Sequence, residues 1–264
     1  MIPKIIHLCW FGKSEYPPLV KMCIESWNKV LPDYRIMIWN EDTFDVNSSI
    51  WTRQAYQTKK WAFVSDYVRL YALYKYGGIY LDTDVEVLKR FDDLLLAERI
   101  VLSRIEGGLI SCGFIACPKN NKDIFSLLSF YERDLINNDG SIKLLMNPLL
   151  FTMYFHKEYN CSVGYEGFEK NDTICVLPLH VLMPFRKSFF GGKKSKYSIK
   201  KYIIKEDCRC IHHDLGSWGK KKPILTFFKH LMRLILPSSF YLFLKKKRAK
   251  KMVYDLIKTN TFIF

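Results

Sequence analysis

Apolar and polar positions alternate in short blocks from the start of the chain. Ile5-Ile6-His7-Leu8-Cys9-Trp10 reads as a buried strand, closed by Gly12 and Pro17-Pro18. Residues 19–30 read as a helix that stops before Pro32, and residues 34–39 as a second strand. Strand, helix and strand in that order predict an α/β sheet. Residues 60–76 have helical spacing, with Ala62, Asp66, Arg69 and Leu73 on one face. Gly77-Gly78 ends that helix, because glycine accepts a left-handed cap. Ile79-Tyr80-Leu81 is then a strand, Asp82-Thr83-Asp84 leaves its tip, and residues 85–88 resume an extended segment. Later strands are expected at 100–103 and 113–117, helices at 123–137 and 144–154, and short extended pieces and loops over 160–210.

Composition adds a bound and a question. With 264 residues, 49% hydrophobic and 25% charged, a sizeable core is available and wholesale disorder is excluded. The length suits one large domain, or one domain with an appendage. The net charge of +15 is unevenly placed: residues 186–258 hold 21 basic and 4 acidic residues, while the remainder is close to neutral. A strongly basic third should meet something anionic. Within it, Phe227, Phe228, Leu231, Leu234 and Ile235 recur with Lys229, His230 and Arg233 between them, an amphipathic helix that Pro237 breaks. Phe240 to Leu244 then runs into Lys245-Lys246-Lys247-Arg248-Ala249-Lys250-Lys251. Such a tail suits an anionic membrane surface, and the alternative is a charged helix packed on the body. The chain therefore divides into a body, 1–222, and a basic helical tail, 223–264. Eight cysteines, mostly among apolar neighbours, favour a reducing compartment. No basic n-region with an apolar h-region opens the sequence, and no run of 18 apolar residues occurs in it.

The strongest chemical signal is Asp82-Thr83-Asp84. Two carboxylates at i and i+2 project together from a strand end, and their mutual repulsion favours a divalent cation. Mg²⁺ or Mn²⁺ binds one or two protein carboxylates and completes its shell with phosphates and water, which suits a nucleotide diphosphate. Alone, such a triplet is an ordinary solvated turn. Here an amphipathic helix, two glycines and an apolar strand place it at the carboxyl edge of a sheet, where ligands of open α/β folds bind. Asp66 and Arg69 lie one helical turn apart, either as an intrahelical ion pair or as a face aimed at the site. Trp10 and Tyr80 are either core aromatics or ligand platforms. Cys208-Arg209-Cys210-Ile211-His212-His213 invites zinc, but on a strand its side chains point alternately to opposite sides, so one histidine reaching the cation of Asp82 and Asp84 is the better use of it. Gly216-Ser217-Trp218-Gly219 has the composition of a segment that folds over a ligand.

Four segments in order carry a resemblance: IPKIIHLCWFG (2–12), KKWAFVSDYVRL (59–70), YGGIYLDTDV (76–85) and HHDLGSW (212–218). Together they resemble the DXD-containing sugar-binding-region proteins of glycosyltransferase family 32, which include bacterial capsule-synthesis members, fungal initiating mannosyltransferases and, more distantly, the clostridial glucosylating toxins. The resemblance implies a GT-A type nucleotide-diphospho-sugar transferase fold, a Rossmann-like mixed sheet flanked by helices. It also implies a nucleotide-sugar donor, Mn²⁺ or Mg²⁺, and retention of anomeric configuration. By position, Asp66 and Arg69 would hold donor sugar and ribose or phosphate. Asp82 and Asp84 would hold the metal, joined by His213, with His212 the alternative. Trp10 would lie against the base, Tyr80 would border the donor, and Ser217 and Trp218 would close over the diphosphate. UDP-galactose or UDP-glucose is the expected donor and GDP-mannose the alternative. The acceptor would be a surface-polysaccharide or lipid-linked glycan. The implied setting is a bacterial cytoplasm, at the inner face of the membrane.

Rival readings explain less. A nucleic-acid-binding protein would spread its basic residues through the fold, whereas the first 185 residues are not basic, so nucleic acid is not an expected partner. A two-metal phosphotransferase or nuclease would need further carboxylates near Asp82 and Asp84. A binding-only pseudoenzyme would not need the acidic pair and the late histidine intact. Transfer to a protein, as in the toxins, stays open.

Overall fold

A computed structural model of the chain describes residues 1–95, 98–182, 185–186, 202–203, 206–214 and 238–258. The opening strand β1 (Ile5–Cys9) is followed by helix α1 (Pro18–Val30), which starts on a proline and buries Leu19, Val20, Cys23 and Trp27 along one face. Strand β2 (Arg35–Trp39) then returns parallel to β1, in register from Ile5↔Arg35 to Cys9↔Trp39. Helix α2 (Ile50–Gln57) was not expected from the sequence. It is capped by Ser49, whose side chain accepts from the Thr52 N–H.

Helix α3 (Trp61–Tyr76) leads into β3 (Gly78–Leu81) through Gly77 at φ 64°. A Cβ on Gly78 would sit 2.6 Å from the Ile5 carbonyl oxygen, so this glycine lets β3 lie against β1. His7 braces the same joint. It is fully buried, and the Trp39 indole N–H donates to its Nδ1 at 3.1 Å. Its Nε2 is thereby left to donate to the Gly77 carbonyl at 2.7 Å. Burial lowers the His7 pKa to about 4.

Short strand β4 (Val85–Val87) precedes β5 (Ile100–Arg104) and β6 (Ile110–Cys117). Helices α4 (Lys122–Glu132) and α5 (Asn147–Tyr159) follow, then β7 (Glu169–Lys170), β8 (Ile174–Leu177) and α6 (Leu179–Leu182). The helix expected at 123–137 stops five residues earlier. The one expected at 144–154 starts at Asn147 and runs on to Tyr159, where Asn160 takes the left-handed cap. Strands β9 (Phe185–Arg186) and β10 (Tyr202–Ile203) form an antiparallel pair.

Seven strands make one sheet in the order β2-β1-β3-β6-β5-β8-β7. The pairs β1/β2, β1/β3 and β5/β8 are parallel, and the pairs β3/β6, β5/β6 and β7/β8 are antiparallel. This is the mixed α/β sheet flanked by helices that the sequence predicts. One face buries a core built from α2, α3, α4 and α5, and the other packs α1, α6 and the end of β4. Strand β11 (Cys210–His212) pairs antiparallel with β4, His212 opposite Val85, in a separate small sheet.

The described part of the tail is one helix, α7 (Ser238–Lys258). Its Val253 is fully buried in the α5 side of the core, with Met252, Leu256 and Ile257 packed around it. Lys245 and Lys246 pair with Glu106 and Glu166 at 2.7 and 3.2 Å. This helix therefore packs on the body. The amphipathic segment expected at 224–235 lies outside the described residues.

Candidate active site

The carboxyl end of β3 sets the site. The Asp82 N–H donates to the Gly113 carbonyl at 2.9 Å, which continues the β3/β6 ladder one residue further. The Val85 N–H then donates to the Asp82 carbonyl at 2.9 Å, so the chain turns tightly between β3 and β4. That turn brings both aspartates to the same rim. The β4/β11 pairing supplies the third group, with His212 Nε2 at 3.1 Å from Asp84 Oδ1 and 3.7 Å from Asp82 Oδ2. One ligand atom each from Asp82, Asp84 and His212 lies within 4.8 Å of the others. Two carboxylates and an imidazole suit Mn²⁺, which accepts oxygen and nitrogen donors, better than a hard all-oxygen Mg²⁺ site.

The sequence expectation named His213 ahead of His212, and the geometry reverses that order. His213 Nε2 bonds Glu86 Oε2 at 2.9 Å, while its backbone N–H donates to the Asp84 carbonyl at 2.9 Å. Adjacent strand residues face opposite sides, so pairing His212 with Val85 turns the His213 side chain away from the aspartate carboxylates. Burial disfavours the His212 imidazolium. The Asp84 charge and hydrogen bond, with Asp82 beyond, outweigh this and push its pKa up to about 9.

Behind the acidic pair lies a second, drier layer. Arg69 donates to the Cys112 carbonyl at 2.7 Å and to the Ser65 carbonyl at 3.2 Å. Its guanidinium also pairs with Asp66 Oδ1 at 2.9 Å and Asp82 Oδ1 at 3.3 Å, and stacks 4.5 Å from the Tyr80 ring. Asp66 and Arg69 form the intrahelical pair, and Arg69 in turn touches Asp82; both are buried, so neither side chain is exposed where the sequence expectation put donor sugar or phosphate. Asp66 is fully buried, and burial, with the nearby Asp82 charge adding to it, pushes its carboxyl up to about 7 against the pull of Arg69. The Tyr80 hydroxyl donates to Asp82 Oδ1 at 2.8 Å. Tyr80 is itself buried, so it fixes Asp82 instead of bordering open space. One oxygen of Asp82 is therefore held by Tyr80 and Arg69, and the other is turned toward His212.

Trp10 stands half-buried just past the end of β1, its indole N–H donating to the Ser14 carbonyl at 2.7 Å and its ring edge-on to Tyr16. Ser217 and Trp218 lie outside the described residues. Three contributors were not anticipated. The Cys112 carbonyl anchors Arg69. Asn147, at the start of α5, is fully buried near Asp66 and accepts from the Tyr131 hydroxyl. Gly113 packs against the Asp82 and His212 side chains, and a Cβ there would lie 2.9 Å from Asp82 Oδ2 and 3.0 Å from His212 Cε1. No local signal in the sequence marks them, because each contact joins distant segments.

Comparison with known proteins gives partial matches. A family model described as the glycosyltransferase sugar-binding region containing DXD motif matches residues 17–101, which include α3, β3 and both aspartates. Inositol phosphoceramide mannosyltransferase 3 of Schizosaccharomyces pombe is 36% identical over 98 residues, 36% of this chain and 27% of that protein. Inositol phosphoceramide mannosyltransferase 1 of the same yeast is 26% identical over 167 residues, covering 59% and 52% of the two chains. The chain thus spans about a quarter to a half of the length of these curated relatives. Among solved structures, PaToxG glycosyltransferase is similar with a TM-score of 0.44 and 22% identity over 60% of this chain and 70% of that one. The expected bacterial setting at the inner face of a membrane is overturned by the curated relatives, which are yeast proteins and carry no capsule-synthesis name. No described helix is long and apolar enough to cross a membrane.

Proposed function

We propose that this chain is a metal-dependent glycosyltransferase that moves a hexose from a nucleotide-diphosphate sugar to a glycan or lipid headgroup acceptor. The observation that carries the reading is the Asp82, Asp84 and His212 cluster at the tip of β3, with ligand atoms within 4.8 Å of one another. The DXD family match over the same residues supports it. Mannose is the favoured sugar, since the relatives are named as mannosyltransferases, and it replaces the galactose or glucose expected first. Their named substrate, inositol phosphoceramide, makes a phosphate-bearing cyclitol headgroup the favoured acceptor chemistry.

Asp82, Asp84 and His212 would hold Mn²⁺ or Mg²⁺, which neutralises the departing diphosphate when bound. Arg69 adds a fixed positive charge beside Asp82, and Tyr80 keeps one Asp82 oxygen occupied so that the other faces the rim. Asp66 is fully buried behind Asp82, so it does not present its carboxylate at the rim as a nucleophile. Transfer then proceeds by breaking the anomeric carbon–oxygen bond, with its electron pair leaving on the diphosphate. The acceptor hydroxyl attacks the same face, and its proton passes to a donor phosphate oxygen. Trp10 and Tyr16 form an aromatic corner at the end of β1 against which the base would lie.

The test is hydrolysis and transfer with GDP-mannose, UDP-glucose and UDP-galactose, with and without Mn²⁺, in wild type and Asp84→Asn. Mn²⁺-dependent turnover of GDP-mannose that Asp84→Asn lowers at least 100-fold is expected, the scale of about 2.7 kcal/mol. Turnover that survives both chelation and the substitution would refute the reading.

A further inference from the structure

Strand β6 does not run evenly beside β5. Leu102 pairs with Ile115, but Arg104, two residues on, pairs with Ile110, five residues back. Three residues of β6 are therefore surplus to this ladder, and the surplus falls around Ser111, Cys112 and Gly113. The other edge of β6 keeps step with β3, since Leu81 pairs with Phe114 and the Asp82 N–H reaches the Gly113 carbonyl at 2.9 Å. The bulge thus passes right beside the acidic cluster. Its Cys112 carbonyl anchors Arg69, and its Gly113 lies against Asp82 and His212.

Beside the bulge is a small pocket. It encloses about 10 Å³, the room of one water molecule. Val85, Phe114 and Leu182 are its apolar walls, and Ser103, Arg104, Ser111 and His212 are its polar ones. The terminal nitrogens of Arg104 are engaged with the Gly108 and Ser162 carbonyls and with Glu169. Ser103 is 1% exposed, and its hydroxyl makes no hydrogen bond to another described residue. Ser111 is buried too. Its oxygen accepts the Gly113 N–H at 3.1 Å, so its own proton is left to donate.

His212 joins this pocket to the cation site. Its Nε2 points to Asp84 at 3.1 Å. A Cβ on Gly113 would lie 3.0 Å from its Cε1 and 3.2 Å from its Nδ1, so that edge of the ring is turned to the bulge. No described residue is hydrogen-bonded to Nδ1. A neutral imidazole that gives Nε2 to a cation carries its proton on Nδ1, and such an N–H is costly to bury unpaired. We propose that Ser103 and Ser111 seat one water molecule in this pocket, that the water accepts the Nδ1–H bond of His212, and that both serines are thereby positioning residues for the metal ligand. Three polar neighbours are what a buried water ordinarily has. A partner on the far ring nitrogen fixes the imidazole plane and raises its basicity toward the ion. The inference rests on the reading of Asp82, Asp84 and His212 as a cation site.

The experiment uses the full chain and two readouts, with thermal melts to verify folding. Mn²⁺ affinity is measured by electron paramagnetic resonance in wild type, Ser103→Ala and Ser103→Val. The alanine variant removes one partner of the water, and valine also fills its place. Losses of about tenfold for alanine, and toward 100-fold for valine, are expected. The second readout is proton exchange at the His212 Nδ1–H, followed by NMR of ¹⁵N-histidine protein saturated with diamagnetic Mg²⁺ and assigned through His212→Gln. Wild type should show a resonance sheltered from solvent, alanine should speed its exchange, and valine should abolish the shelter. A merely structural Ser103 would weaken the ion without touching this exchange. Three outcomes overturn the inference: no sheltered resonance in wild type, wild-type Mn²⁺ affinity in both folded variants, or weakened affinity with unchanged exchange. Failure of the cation site itself reads differently, since wild type would then bind no Mn²⁺ at all. A seated water and a bound ion with no turnover of any donor would remove the transferase reading and keep the serine assignment.

Discussion

Replacing Gly113 by alanine adds one methyl group beneath two of the three metal-cluster side chains. The methyl carbon would start 2.9 Å from Asp82 Oδ2, 3.0 Å from His212 Cε1 and 3.2 Å from His212 Nδ1. An ordinary contact of about 3.4 Å requires these groups to retreat by up to about 0.5 Å. Metal–ligand distances tolerate about 0.2 Å, so both ligands cannot keep their grip after that retreat. Asp82 has little freedom to adjust otherwise, because Tyr80 and Arg69 hold its other oxygen. Gly113 does not occupy the left-handed region, so alanine suits its backbone and the fold should persist. Disturbance just behind metal ligands usually lowers affinity 10- to 100-fold, and about that loss of Mn²⁺ affinity is expected here. Electron paramagnetic resonance titration of free Mn²⁺ reads it directly, with thermal melts as the control for folding. A folded variant with wild-type Mn²⁺ affinity would show that these three side chains are not the cation site.

His7 should make the protein acid-sensitive. Its imidazole takes a proton near pH 6.5 when unfolded but only near 4 when folded, so between those values the unfolded chain binds more protons and stability falls as pH falls. From pH 7.5 to 5 this single group should remove about 2 kcal/mol, seen in urea melts as the part of the pH dependence that His7→Gln loses. An identical pH dependence in the variant would count against it. Arg69→Met strands Asp66 and the Cys112 carbonyl in a dry interior and should cost about 3–5 kcal/mol in the same melts. A loss below 1 kcal/mol would mean that Arg69 is not the hub described above. Val253→Ala should lower the stability of the whole body by about 2 kcal/mol, as expected for a side chain in the shared core. A melt unaffected by the change would make α7 a separate element.

The first half of the fold and the acidic cluster were readable because their signals are local. β1, α1, β2, α3 and β3 follow one another with clear apolar periods, and Gly77-Gly78 marks the joint that delivers Asp82. What escaped depends on contacts across the chain. Whether His212 or His213 faces the aspartates is a one-residue parity choice, decided by which residue of β11 pairs with Val85 of β4. Nothing within the HHD segment reveals that register. Asn147 reaches Asp66 from the start of a helix some eighty positions away, so no spacing rule points to it. Helix α2 is short, and its hydroxyl cap at Ser49 is shared with ordinary loops. The tail looked like a free amphipathic element because its basic residues dominate the pattern. The Ala249 and Val253 positions that bury it are small in number and carry no charge.

The short ladder between β4 and β11 has a thermodynamic corollary. Three residues on each side are a weak tie, yet they bring a late histidine to two early aspartates. Any ion gripped by all three acts as a rivet between distant stretches of chain, and its occupancy stabilises that ladder by mass action. Stripping the ion would therefore loosen the join as well as silence the chemistry, and amide exchange at residues 210–213 should quicken in step with the loss of turnover.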